Sequence, residues 1–172
     1  MNDKANNIVL IGMPASGKST IGVLLAKRLL RNFIDTDVYI QSLEGKSLQE
    51  MIDAEGLEYF RNIEEKHILN IRADNAVIAT GGSAVYSDRA MKKLAADSNI
   101  VYLELPIEEI KRRLTDLGTR GVVMAKHQTI ESLYNERLPL YAGYADITVN
   151  CCGLNHEQTV EAVMNRIRPK AH

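Results

Sequence analysis

The chain has 172 residues, 25% of them charged, and a formal net charge of −1; this suits one domain with a real core and leaves no basic field for nucleic acid or an anionic membrane. A polar stretch, Met1 to Asn7, runs straight into the first apolar run and no apolar span is long enough to cross a bilayer, so a cytoplasmic protein is expected. The adjacent Cys151 and Cys152 suit neither a structural disulfide nor a zinc site and read as ordinary buried or loop thiols.

The first predicted strand, residues 7–11, hands over to Gly12-x-x-x-x-Gly17-Lys18-Ser19, the spacing of a phosphate-binding P-loop, and then to a helix over 18–31 with Ile21, Leu24, Leu25 and Leu29 as its apolar stripe. Without a Cβ at Gly12 and Gly17, backbone N–H groups can turn inward onto an anion at a helix N-terminus. Gly12, Ala15, Ser16, Gly17, Lys18, Ser19 and Thr20 are therefore the expected contacts to ATP, with Lys18 on the β and γ phosphates and Ser19 on Mg²⁺.

A short second strand, Phe33 to Ile34, leads into Asp35. In an extended segment Asp35 and Asp37 project from the same side, and two like charges there call for cations or hydroxyls. Asp35 is assigned to the Mg²⁺ shell and Asp37 to the acceptor hydroxyl, which it would orient or deprotonate. Helical patterns follow over 47–54 and 58–72; on the second, Arg61 is a candidate for gripping a carboxylate, since a guanidinium fork matches two oxygens. His67 has apolar neighbours and reads as packing.

The third strand, 76–80, ends in Thr80-Gly81-Gly82-Ser83, where two glycines would let backbone approach a substrate closely. A helix over 87–96, a strand over 99–105 and a helix over 106–115 come next. Residues 116–129 lack periodicity, carry Gly118, Arg120, Gly121 and Lys126, and are expected to form a mobile lid. The helix predicted over 130–138 should stop at Leu138-Pro139 and so place Arg137, the second carboxylate-gripping candidate, at an element end. Tyr134, Tyr141 and Tyr144 read as core or rim aromatics, and a strand over 146–150 and a helix over 156–167 complete the chain.

Strands that alternate with helices argue for one parallel sheet covered on both faces, a three-layer α/β/α domain spanning residues 1–172. Ligands in such sheets collect at the carboxyl ends of the strands, so the P-loop, Asp35 to Asp37, and Thr80 to Ser83 should share one crevice. The sequence has no Asn-Lys-x-Asp to read guanine, and Asp53-Ala-Glu-Gly56 closes an amphipathic run, which excludes a switch GTPase and leaves a kinase for a small acceptor.

With these residues in view, the chain resembles the shikimate kinase family through "GMPASGKST", "FIDTDVYI", "EGLEYFRNIEE", "VIATGGS", "TRGVVM" and "NERLPLYAGYAD", in that order, from about residue 7 to about 150. The resemblance implies the nucleoside monophosphate kinase fold, a five-stranded sheet in the order 2-3-1-4-5, and transfer of phosphate from ATP with Mg²⁺ to shikimate by a monomer. It also implies that Arg61 and Arg137, with Gly81 and Gly82, hold the acceptor's acid group, that Arg120 is a catalytic lid arginine closing over ATP, and that Arg113 stacks on adenine. Three features depart from the family: Ser83 stands where a third glycine is usual, Gly121-Val122-Val123 where Pro-Leu-Leu is usual, and residues 151–155 lack a usual proline. Specificity rests on a few polar contacts around the acceptor, so a homoserine or gluconate kinase of the same fold stays open. A catalytically silent nucleotide-binding regulator is disfavoured by the joint presence of Lys18, Ser19, Asp35 and Asp37.

Overall fold

The computed structural model describes residues 6–117 and 122–167. Five strands, β1 (Asn7–Ile11), β2 (Asn32–Asp35), β3 (Ala76–Ala79), β4 (Ser98–Glu104) and β5 (Ile147–Asn150), form a parallel sheet in the order β2-β3-β1-β4-β5. Every residue of β1 and β3 is buried. Helices on both faces of a parallel sheet require such continuous apolar runs, which is why Ile8-Val9-Leu10-Ile11 reads as it does. In register, Leu10 pairs with Ala79 on one side and Val101 on the other, so the strands end together and the loops that follow them meet above the sheet.

The helices are α1 (Lys18–Leu29), α2 (Thr36–Glu44), α3 (Leu48–Glu55), α4 (Leu57–Asn70), α5 (Asp88–Ala96), α6 (Ile107–Leu117), α7 (Ile130–Tyr144) and α8 (His156–Ile167), with a 3-10 turn at Ala84–Tyr86. The main core gathers the central strands with Ile21 and Leu25 of α1, Ile68 of α4, Met91 of α5, Tyr141 of α7 and Val160 of α8. A smaller one joins Ile40, Leu48, Met51 and Phe60 to Val123. Cys151 is buried and Cys152 exposed, both as free thiols.

Three local expectations need correction. Asp37 is not in an extended segment: Asp35 ends β2 and caps α2, its Oδ1 accepting from the Asp37 and Val38 amides at 3.0 and 3.2 Å, so Asp37 sits in the first turn of a helix. That helix has no predicted counterpart; its buried residues are Thr36 and Ile40 alone, too few to show a period. Finally, α7 does not stop at Pro139 but runs through it to Tyr144. Proline removes the N–H that would bond to the Asn135 carbonyl, yet Leu133, Arg137 and Tyr141, spaced four apart, form a buried stripe that carries the helix past the break.

Candidate active site

The P-loop wraps back on itself through Lys18. Its ammonium donates to the carbonyls of Gly12 and Met13 at 2.8 and 2.7 Å and lies 3.4 Å from Ser16 Oγ. Gly12 is needed for space as well as conformation, because at its φ of 147° a Cβ would stand 2.8 Å from the Leu103 carbonyl oxygen. Burial pulls the Lys18 pKa down to about 8, opposed by the nearby charge of Asp37. Ser19 donates to Asp35 Oδ2 at 2.5 Å, so the hydroxyl and the carboxylate assigned to one ion are in contact.

A cavity of about 330 Å³ opens beside this loop, lined by Ala15, Gly17, Lys18, Ser19, Thr20, Asp37, Thr80, Gly82, Val122, Val123 and Arg137 among others. The three strand ends named from the sequence thus do meet in one crevice. Asp37 Oδ1 is buried with no hydrogen-bond partner among the described residues. Burial, and secondarily the charge of Asp35, push its pKa up to about 6, with Lys18 acting in the opposite direction. A buried carboxylate oxygen without a donor is costly, and the residue that carries it lines the cavity next to the P-loop.

Arg137 is fully buried, its Nη2 donating to the Val123 carbonyl at 2.5 Å and its Nε to Tyr86 Oη at 3.2 Å, while Nη1 has no partner among the described residues. Gly82 is close to this free edge: a Cβ there would meet Arg137 Nη1 at 2.8 Å. Gly81 packs equally tightly, with Asp37 Oδ1 at 2.5 Å and Glu64 Oε1 at 2.8 Å from where a Cβ would stand. The Gly81 N–H is already given to Thr36 Oγ1 at 2.9 Å, and the Gly82 carbonyl accepts from Tyr141 Oη at 2.7 Å. Both glycines therefore serve by leaving room, on a backbone pinned from α2 and α7.

Arg61 is not on the cavity that holds Lys18 and Asp37. It lines a neighbouring one of about 270 Å³ with Glu64, Ser83 and Tyr86. Asp37 of the first cavity and Glu64 of the second converge at Gly81, each with a carboxylate oxygen close to where a Cβ would stand. Glu64 is the site residue the sequence reading missed: it is buried, Oε2 accepts from Ser83 Oγ at 2.6 Å, and burial pushes its pKa up to about 7 against the pull of that hydrogen bond. Its position four residues from both Phe60 and Ile68, on the buried face of α4, was the available signal.

Arg113 lies against the P-loop, donating from Nη1 to the Ala15 carbonyl at 3.3 Å and from Nε to Glu109 at 3.0 Å. Arg120, Gly118 and Gly121 lie outside the described residues. Beyond them, Val122 and Val123 of the expected lid are buried against the two cores. His67 pairs with Glu44 at 2.5 Å and meets Tyr39 edge-on, fastening α4 to α2.

The family model described as "Shikimate kinase" matches residues 14–168. A shikimate kinase from Francisella tularensis subsp. novicida is 38% identical over 168 residues, covering 95% of this chain and 93% of the relative. The solved shikimate kinase from Acinetobacter baumannii in complex with shikimate superposes with a TM-score of 0.83 at 26% identity, covering 96% of this chain and 94% of its own. A gluconokinase from Sinorhizobium meliloti reaches a TM-score of 0.52 at 13% identity over 94% and 91% of the two chains, a likeness of fold alone. With a family model matched over most of its length and a relative 38% identical across nearly the whole chain, the chain belongs to the shikimate kinase family.

Proposed function

We propose that this chain transfers the γ-phosphoryl group of ATP to a hydroxyl of shikimate, giving shikimate 3-phosphate. The observation that carries the reading is the single cavity that sets Lys18 and Ser19 beside Asp37, Gly82 and Arg137. Phosphoryl transfer needs positioning and charge neutralisation more than covalent help. In this reading the Asp37 carboxylate accepts the acceptor's hydroxyl and takes its proton, and its raised pKa suits a base working near neutral pH. Lys18 leaves its loop carbonyls for the phosphate oxygens, Arg113 borders the adenine side, and Arg120 closes over the nucleotide from the lid.

Among the described residues no cluster of three or more His, Cys, Asp and Glu could hold a metal ion by itself. Ser19 Oγ and Asp35 Oδ2, two hard oxygen donors in contact at the loop's end, fit Mg²⁺, which takes few protein ligands and keeps several waters. When bound, the ion would neutralise phosphate charge.

The acceptor's carboxylate is assigned to Arg137 and Arg61. Each has a buried guanidinium nitrogen without a partner among the described residues, Nη1 of Arg137 and Nε of Arg61, and buried donors of this kind favour an anionic substrate over a neutral sugar. Homoserine and gluconate also carry carboxylates, but the family and the shikimate complex of the Acinetobacter relative favour shikimate. No helix among the described residues is long and apolar enough to cross a membrane, and a step fed by ATP suits the cytoplasm.

The test is a coupled assay of ADP release with shikimate, homoserine and gluconate in turn. Shikimate should be turned over fastest, and Lys18→Ala should abolish turnover. Vigorous turnover of homoserine with none of shikimate would refute the assignment.

A further inference from the structure

Tyr86 stands between the two arginines and belongs to neither cavity's expected machinery. It closes the 3-10 turn that follows Gly81-Gly82, held by the bond from its own N–H to the Ser83 carbonyl at 3.0 Å. From there its ring meets Arg61 on α4, with Cζ 4.0 Å from the ring centroid, and Arg137 on α7, with Cζ at 5.2 Å. Its hydroxyl accepts from Arg137 Nε at 3.2 Å and donates to Glu136. Glu136 in turn accepts from Gln128 Nε2 at 2.8 Å, at the end of the segment that leads into α7.

Two guanidinium groups that converge on one place repel each other, and an aromatic face offers both a negative surface. The hydroxyl does something separate. With Nε given to Tyr86 and Nη2 given to Val123, the edge of Arg137 left without a partner is Nη1, the one next to Gly82. Tyr86 thereby fixes which edge of the guanidinium turns toward the acceptor.

We propose that Tyr86 is a positioning residue for acceptor recognition, its ring seating Arg61 and its hydroxyl orienting Arg137 so that the pair selects an acceptor bearing a carboxylate. The proposal rests on the reading that these two arginines hold that carboxylate. Tyr86 touches no reacting atom, so its effect belongs in the KM of the acceptor and in selectivity, with kcat and the KM of ATP little moved.

The experiment compares the parent with Tyr86→Phe, which keeps the ring, and Tyr86→Leu, which removes both features, using shikimate and its methyl ester as acceptors. Tyr86→Phe should raise the KM of shikimate several-fold, and Tyr86→Leu by about tenfold or more, with the KM of ATP within about twofold of the parent. The preference for the acid over the ester should shrink by about tenfold in Tyr86→Leu, whereas a role in folding alone would affect both acceptors equally. Parental shikimate KM and an unchanged acid-to-ester ratio in both variants, beside raised values in Arg61→Ala and Arg137→Ala, would overturn the role of Tyr86 alone. Parental KM in the two arginine variants would overturn the carboxylate assignment and this proposal together.

Discussion

Ser83 donates its hydroxyl hydrogen to Glu64 Oε2 across 2.6 Å, and both residues are buried. The serine that replaces a usual glycine is thus turned onto a carboxylate of α4, and it is not among the residues that line the cavity of Lys18 and Asp37. Burial, working against this hydrogen bond, gives Glu64 a marked dependence on pH. Its pKa rises from 4.5 to about 7, so the folded state holds this proton more tightly than the unfolded chain, and the stability it confers is complete below about pH 4.5 and lost as pH rises through 7. Glu64→Gln should gain on the parent by roughly 3 kcal/mol between pH 4 and pH 8 in urea denaturation. An equal difference between the two proteins at both pH values would show that Glu64 is not perturbed.

Because the Ser83 hydroxyl is engaged by Glu64, acceptor choice should not depend on it. In Ser83→Gly the ranking of shikimate, homoserine and gluconate by kcat/KM is expected to stay as in the parent. A reversal of the ranking would place the serine in direct contact with the acceptor.

Asp37 should govern the acid side of the rate profile. Its raised pKa means that the ionised base is lost as pH falls below about 6, so kcat/KM for the acceptor should decline there. Asp37→Asn should lower kcat by about a hundredfold or more and abolish that acid limb, leaving ATP affinity near the parental value. An Asn variant with full turnover would reduce Asp37 to a helix-turn residue.

The sheet and its crevice were legible because each rests on a strong local signal: continuous apolar runs in β1 and β3, and a glycine-lysine-hydroxyl loop directly after β1. What the sequence hid depends on contacts distant in the chain. Helix α2 buries too little to show a period, and α7 passes Pro139 because Arg137 and Tyr141 are packed from elsewhere. Glu64 and Tyr86 acquire their roles only when α4, the Gly81-Gly82 loop and α7 come together, 19 and 51 residues apart at Ser83–Glu64 and Arg137–Tyr86. Arg61 lines the adjoining cavity and not that of Lys18 and Asp37, a distinction that spacing along a helix does not encode.

The two glycines offer a test that separates the reacting end of the acceptor from its carboxylate end. A Cβ at Gly81 would stand 2.5 Å from Asp37 Oδ1 and 2.8 Å from Glu64 Oε1, distances at which something must move. Glu64 is held by Ser83, and Asp37 has no hydrogen-bond partner for Oδ1 among the described residues, so Asp37 yields. A Cβ at Gly82 would instead stand 2.8 Å from Arg137 Nη1 and 3.1 Å from Pro14 Cδ, displacing the guanidinium edge assigned to the carboxylate. Gly81→Ala should therefore lower kcat by about tenfold to a hundredfold, because displacing a catalytic group by a fraction of an ångström spoils its alignment. Gly82→Ala should chiefly raise the KM of shikimate, by about tenfold, since it weakens a contact made equally in ground and transition states. Each substitution also overpacks a buried site and should cost about 1–3 kcal/mol of stability, so the kinetics are to be read well below the melting temperature of the variants. If both variants changed the same kinetic parameter in the same proportion, the division of labour between Asp37 and Arg137 would be wrong.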